Sequence, residues 1–204
     1  MDAAGLSPDA FLGHYRKDVK TSIWRKDGAI DPPEAIGDLG LLLDGLLPDQ
    51  AMIEKYPDLE VSPQATDEEK LAAPATRFPE EQRNVAVRVW IWYVRKEADN
   101  DFHVVIGSTA DTTARFMTVE VSGLPDEGSP DFEVLQQVRA QLLDLVGQEP
   151  NSKRYEALTP PLPVRVAGSL LFDGDHRAGE VGPTGHHPQT VWEIHPVIAL
   201  EKRG

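Results

Sequence analysis

Three features of this sequence predict a mainly β (α+β) chain. They are an alternating apolar–polar run from residue 85, one well-bounded helix, and two further alternating stretches near the C-terminus. In VAVRVWIWYVRK, Val85, Val87, Val89 and Ile91 share one face, with Arg88, Trp90 and Trp92 on the other. The turn EADND leads to FHVVIGS, where Phe102, Val104 and Ile106 point inward and Asp101 and His103 lie on the opposite parity. RFMTVEVSG follows, with Met117, Val119 and Val121 on one face. The helix lies in SPDFEVLQQVRAQLLDLVGQ. Ser129 is its expected N-cap, Pro130 its first residue, Asp131 an acid near the positive dipole end, and Gly147 its stop. Leu135, Val138, Leu142 and Val146 form its apolar stripe. VRVAGSLLFDGDH alternates through Val164, Val166, Leu170 and Phe172. In the closing stretch TVWEIHPVIALE, the residues Trp192, Ile194, Pro196, Ile198 and Leu200 are expected to share the core face. Three strands, a helix and two strands make the order of a five-stranded OB-fold-like barrel, with the helix between strands three and four. Gly168 suits the bulge or bend that a small barrel needs.

Residues 1–46 read as a helical or irregular N-terminal arm. Ser7 and Pro8 open a candidate helix through Phe11, Leu12 and Tyr15, and a leucine-rich stretch broken by Gly37, Gly40 and Gly45 supplies a second. Residues 47–84 have the acidic, proline-containing composition of a linker, and residues 85–204 form the barrel domain. Net charge is −14, and residues 29–84 carry thirteen acids against four bases. That balance repels phosphate at long range and argues against strong non-specific nucleic-acid binding. A protein partner or a small ligand fits it better. No apolar run approaches a membrane span, the N-terminus lacks the order of a signal peptide, and there is no cysteine. A cytoplasmic setting is therefore expected.

The polar residues of the strands' second face carry the chemistry. Glu193 and His195 lie on one parity, about 7 Å apart along the strand. Asp173 and His176 sit at the tip of the preceding strand, and His103 is a third histidine off the core parity. His103, His176 and His195 are candidate ligands for a divalent metal, zinc or manganese. Glu193, His195, Asp173 and His176 are candidate catalytic groups. The bland alternatives are a solvated Glu–His pair and an Asp-Gly turn. Arg88, Trp90 and Trp92, with Asp101 and His103, are candidate ligand-binding residues. The tryptophans either form a stacking platform or are covered by the arm. His186 and His187 are expected to be exposed, and the basic-aromatic cluster of residues 14–26 either meets an anionic partner or is a solvated face.

Asp101, His103, Met117, Glu120, Phe172, Asp173, His176, Glu193, His195 and Pro196 resemble the pattern of an uncharacterised bacterial family. Its members read D-Y-H on one strand, M-I-x-E on the next, then F-x-D-x-x-H, a Gly-containing loop and an E-x-H-P ending. The resemblance covers about residues 85–201 and implies that Asp101, His103, Asp173, His176, Glu193 and His195 belong to one site; it implies no particular reaction. The loop before the last strand is longer here than the short connector of many such proteins.

Two functional readings follow from the sequence. One is an OB-like binding or accessory module for an oligonucleotide, a sugar or a protein partner. The other is a metal-dependent hydrolase, acting on phosphodiesters in the manner of a nuclease through a His/Glu/Asp cluster. A structural or interaction protein is the third alternative.

Overall fold

A computed structural model describes residues 7–62 and 64–203. In chain order its elements are α1 (Lys17–Lys20), β1 (Arg25–Lys26), β2 (Ala29–Ile30), β3 (Glu34–Ile36), α2 (Leu39–Gly45), α3 (Asp49–Lys55) and α4 (Asp67–Leu71). Then come β4 (Asn84–Lys96), β5 (Phe102–Gly107), β6 (Phe116–Val121), α5 (Phe132–Val146), β7 (Glu156–Phe172) and β8 (Trp192–Lys202). The protein is mainly β. One mixed sheet has the order β3-β4-β5-β6-β8-β7, and β4 also pairs with β7, so the sheet is partly ringed. β6 and β8 run parallel, while β4–β5, β5–β6, β7–β8 and β4–β7 are antiparallel.

The alternation seen in the sequence sets the inner face. Val85, Val87, Val89, Ile91, Val104, Ile106, Met117, Val119, Val166, Leu170 and Ile194 are fully buried in one apolar cluster. Val138 and Leu142 of α5 join it, as do Leu39, Leu42, Met52 and Leu59 from the segments before β4. In β4, Ile91 pairs with Ile106 but Tyr93 with Val105, so Trp92 is an extra residue. That bulge reverses the parity and brings Val94 inward.

β8 departs from strict alternation. Leu170 faces Ile194, Gly168 faces Val197 and Ala167 faces Ala199, so β8 spends additional residues at each step. Val197 consequently joins the core, whereas Ile198 is half-buried and Pro196 lies outside the cluster. Gly168 makes this crossing feasible, because a Cβ there would overlap the Pro196 carbonyl oxygen and Ile194 Cγ2. Gly168→Ala is expected to destabilise the protein by about 1–3 kcal/mol, the usual range for overpacking, measurable as a lower midpoint in urea unfolding.

Two helix expectations change. The helix before β7 starts at Phe132 rather than Pro130; Asp131 occupies the N-cap position and spends its carboxylate on Arg25 and the Ile23 amide. Gly147 ends it with φ 78°, as the sequence indicated. Among the described residues before β1, only 17–20 are helical. Upstream, the amides of Phe11 and Leu12 donate to the carbonyls of Leu124 and Asp99, so this backbone is bonded to loops instead of to itself. The segment is anchored by Arg16, whose guanidinium forms a buried two-point pair with Glu81 at 2.5 and 2.8 Å. Glu81 also accepts from the amides of Phe172 and Phe78.

Candidate functional site

The outer faces of β5, β6 and β8 bring five ionisable side chains together. His103 on β5 stands directly opposite Glu120 on β6, and Thr118 is in register with Glu193 on β8. Asp101 precedes β5 and His195 follows Glu193 by two residues, on the same side. All five are buried although they lie off the core face, and Lys20 of the N-terminal segment lines one cleft with His103, Glu120 and Glu193.

His195 is the centre of the cluster. Its Nδ1 lies 3.3 Å from Glu120 Oε2 and 3.5 Å from Glu193 Oε2, and its Nε2 lies 3.4 Å from Asp101 Oδ2. None of these contacts is a formed hydrogen bond. Asp101 Oδ2, Glu193 Oε2 and both His195 nitrogens are buried without a hydrogen-bond partner among the described residues. A neutral imidazole has one donor and one acceptor nitrogen. Whichever tautomer is present, one ring lone pair therefore faces a carboxyl oxygen, a contact that only a proton or a cation between them makes favourable. Asp101, Glu120 and His195 offer ligand atoms within 4.8 Å of one another, and so do His103, Glu120 and Glu193.

Electrostatics without a cation is unfavourable here. Burial, then Asp99, raises the Asp101 pKa to about 7. Burial pushes Glu120 and Glu193 well above the usual carboxylate range, reinforced at Glu120 by the Asp101 charge and at Glu193 by the Glu120 and Asp173 charges. Burial holds His195 well below its ordinary value and takes His103 down to about 3, so both imidazoles are neutral. His103 meets the Tyr155 hydroxyl at Nδ1 (2.5 Å) and the Thr118 hydroxyl at Nε2 (3.0 Å).

Beside the cluster, Asp173 accepts from His176 Nδ1 at 2.8 Å and from Lys20 Nζ at 3.4 Å. Burial opposes the Lys20 charge, but Asp173 and the carboxylates of Glu120, Glu193 and Asp101 outweigh it and raise its pKa. Despite burial, Asp173 is held below the carboxylate range by Lys20 and His176. Asp173 in turn raises His176 to about 9. A cleft of about 240 Å³ opens here, walled by Lys20, Arg95, His103, Glu120, His176 and Glu193 among others. His195 and Asp101 lie behind it.

The His176 shift has a stability consequence. Its folded pKa exceeds the ordinary value of about 6.5, so its contribution is complete below that pH and fades as pH rises through about 9. In chelator, the wild-type melting temperature is expected to fall more between pH 6.5 and 9 than that of His176→Gln. Equal slopes would remove the Asp173–His176 pair from the stability balance.

Of the residues singled out in the sequence, Asp101, His103, Glu193 and His195 meet in one cluster, and Asp173 and His176 adjoin it across the cleft. Phe172 directly precedes Asp173, one residue closer than the F-x-D spacing of the resembling family. Arg88, Trp90 and Trp92 lie elsewhere. Arg88 is exposed and donates to the Gly37 carbonyl. Trp90 lies under the Arg203 guanidinium at 4.5 Å, and Trp92 packs edge-on to Phe116 at 5.5 Å and donates to the Thr109 carbonyl. Gly37 belongs to the N-terminal arm, whereas Arg203, Phe116 and Thr109 do not. His186 is half-buried rather than exposed, held among Trp92, Tyr93 and Phe116.

Glu120 was marked only by the family resemblance, although its off-core parity opposite His103 was readable. Lys20 was hidden in a cluster whose other reading was a solvated face; together with Arg16 it is buried. No protein-family model matches the chain, and the searches of curated proteins and of solved structures likewise give no match. Among the described residues, no helix is long and apolar enough to cross a membrane. The fold and cluster define a mainly β protein with a buried carboxylate–histidine site open to a small cleft.

Proposed function

We propose that this chain is an OB-like barrel carrying a divalent-cation site, and that it is a metal-dependent hydrolase of small anionic esters. The order β4-β5-β6-β8-β7 with β4–β7 pairing, parallel β6 and β8, and α5 after β6 supports the barrel reading. One observation carries the site: the unpartnered His195 Nδ1 faces two carboxylate oxygens at 3.3 and 3.5 Å. Ligand atoms held tetrahedrally at about 2.0–2.1 Å from one ion are roughly 3.3–3.4 Å apart. His195 Nδ1 therefore stands from each glutamate at about the spacing of two ligands on one zinc-like or manganese-like ion. Nε2–H then turns to Asp101, the carboxylate–histidine–metal arrangement that fixes tautomer and ring orientation. One ion thus gives partners to all four orphaned atoms.

A bound ion would lower the pKa of a water and polarise the ester. Lys20, Arg95 and His176 give the cleft its cationic groups, suited to a phosphodiester. With Nδ1 committed to Asp173, His176 keeps Nε2–H for the leaving oxygen as the water oxygen bonds to phosphorus. The aromatic face fits a binding role less well, since Trp90 and Trp92 are already occupied by Arg203, Phe116 and His186.

Metal-stripped protein is expected to release nitrophenolate from bis(p-nitrophenyl) phosphate only after manganese or zinc is restored. His195→Gln should remove that response. Turnover unaffected by metal, or none with any metal, would overturn the hydrolase reading.

A further inference from the structure

Glu120 and Glu193 stand between two histidines, the inner His195 and the outer His103. Resting on the cation site just described, we propose that these two carboxylates bridge a pair of divalent cations, the second held by His103, and that the centre serves phosphate esters. Oε2 of each glutamate is turned to His195, which leaves the other oxygen of each for a second ion. His103, Glu120 and Glu193 already bring one ligand atom apiece within 4.8 Å of one another, and all three wall the cleft. Glu193 Oε2 and His195 Nδ1, both buried and unpartnered, face each other at 3.5 Å on the inner side of this group. The Tyr155 hydroxyl on Nδ1 orients the His103 ring, and an ion on Nε2 takes the place of the Thr118 hydroxyl.

Charge favours the pair. Asp173 is already matched by Lys20 and His176, which leaves Asp101, Glu120 and Glu193. Lys20 and His176 exceed Asp173 by one charge, so one divalent ion brings the cluster only to neutrality, with no net attraction for an anionic ester. Two ions leave a net positive charge at the cleft. A carboxylate-bridged pair also clamps both the attacking and the leaving oxygen of an in-line phosphoryl displacement.

Metal-free protein titrated with manganese, followed by equilibrium dialysis and electron paramagnetic resonance, tests this directly. Two equivalents should bind, and the hyperfine-split signal of an isolated ion should give way to a spin-coupled spectrum as the second enters. His103→Gln should retain one uncoupled equivalent, whereas His195→Gln should lose the inner one. Wild-type saturation at one uncoupled equivalent, lost in His195→Gln and kept in His103→Gln, overturns the second ion and leaves the first. One equivalent lost only in His103→Gln overturns the inner site instead, and no binding overturns both. The wild-type result decides the matter even if a variant fails to fold.

Discussion

Glu120→Gln is expected to abolish the stabilisation that divalent cations give this protein, while leaving the metal-free fold intact. For the wild type, a cation at 100 times its Kd should add about 2.7 kcal/mol, or roughly 5–10 °C in melting temperature for a chain of this size. Glu120 stands at 3.3 Å from His195 Nδ1 and belongs to both groups of converging ligand atoms. Loss of cation affinity should exceed the roughly 10–100-fold typical of outer-shell partners. In chelator the variant should melt no lower than wild type at pH 8, because Gln needs no proton to be neutral in this buried place, whereas Glu120 is held protonated against its ordinary tendency. Differential scanning fluorimetry with and without manganese reads both effects. A full cation shift in Glu120→Gln would place the ion elsewhere.

Arg16→Ala should be the most damaging single change outside the apolar core. The variant leaves Glu81, fully buried, without its cation, and strips donors from the carbonyls of Pro74, Thr76 and Phe172. Removing one member of a buried, hydrogen-bonded ion pair costs about 3–5 kcal/mol. Replacing both with apolar residues costs less, so Arg16→Met with Glu81→Leu should recover part of the loss. The pair joins three separate stretches of chain, because Glu81 also accepts from the amides of Phe172 and Phe78. Loosening it frees the segment that sets Lys20 beside Asp173. Guanidinium unfolding of the single and double variants measures both quantities.

The sequence made the sheet legible because most strands alternate with a period of two, and parity alone separates Val104 and Val119 from His103 and Glu120. Parity failed where bulges intervene. Val197 took the core place expected for Ile198, since β8 gains residues opposite Gly168. Within the site, Glu193 and His195 were readable as neighbours on one face. Their convergence with Asp101 and His103 depends on the parallel pairing of β6 with β8, which no local pattern reveals. Lys20 was illegible for a different reason. A basic, amphipathic stretch looks the same in sequence whether its lysine is solvated or pairs with a carboxylate 153 residues away in the chain.

Isothermal titration of zinc or manganese into metal-free protein, paired with elemental analysis of protein purified without chelator, tests the central claim most directly. The expected result is saturable binding of at least one equivalent, with the same metal present as purified and one equivalent fewer by both measures in His195→Gln. Metal-free protein that gives no heat with either ion would contradict it, and the facing carboxylates of Asp101, Glu120 and Glu193 would then be held together by protons alone.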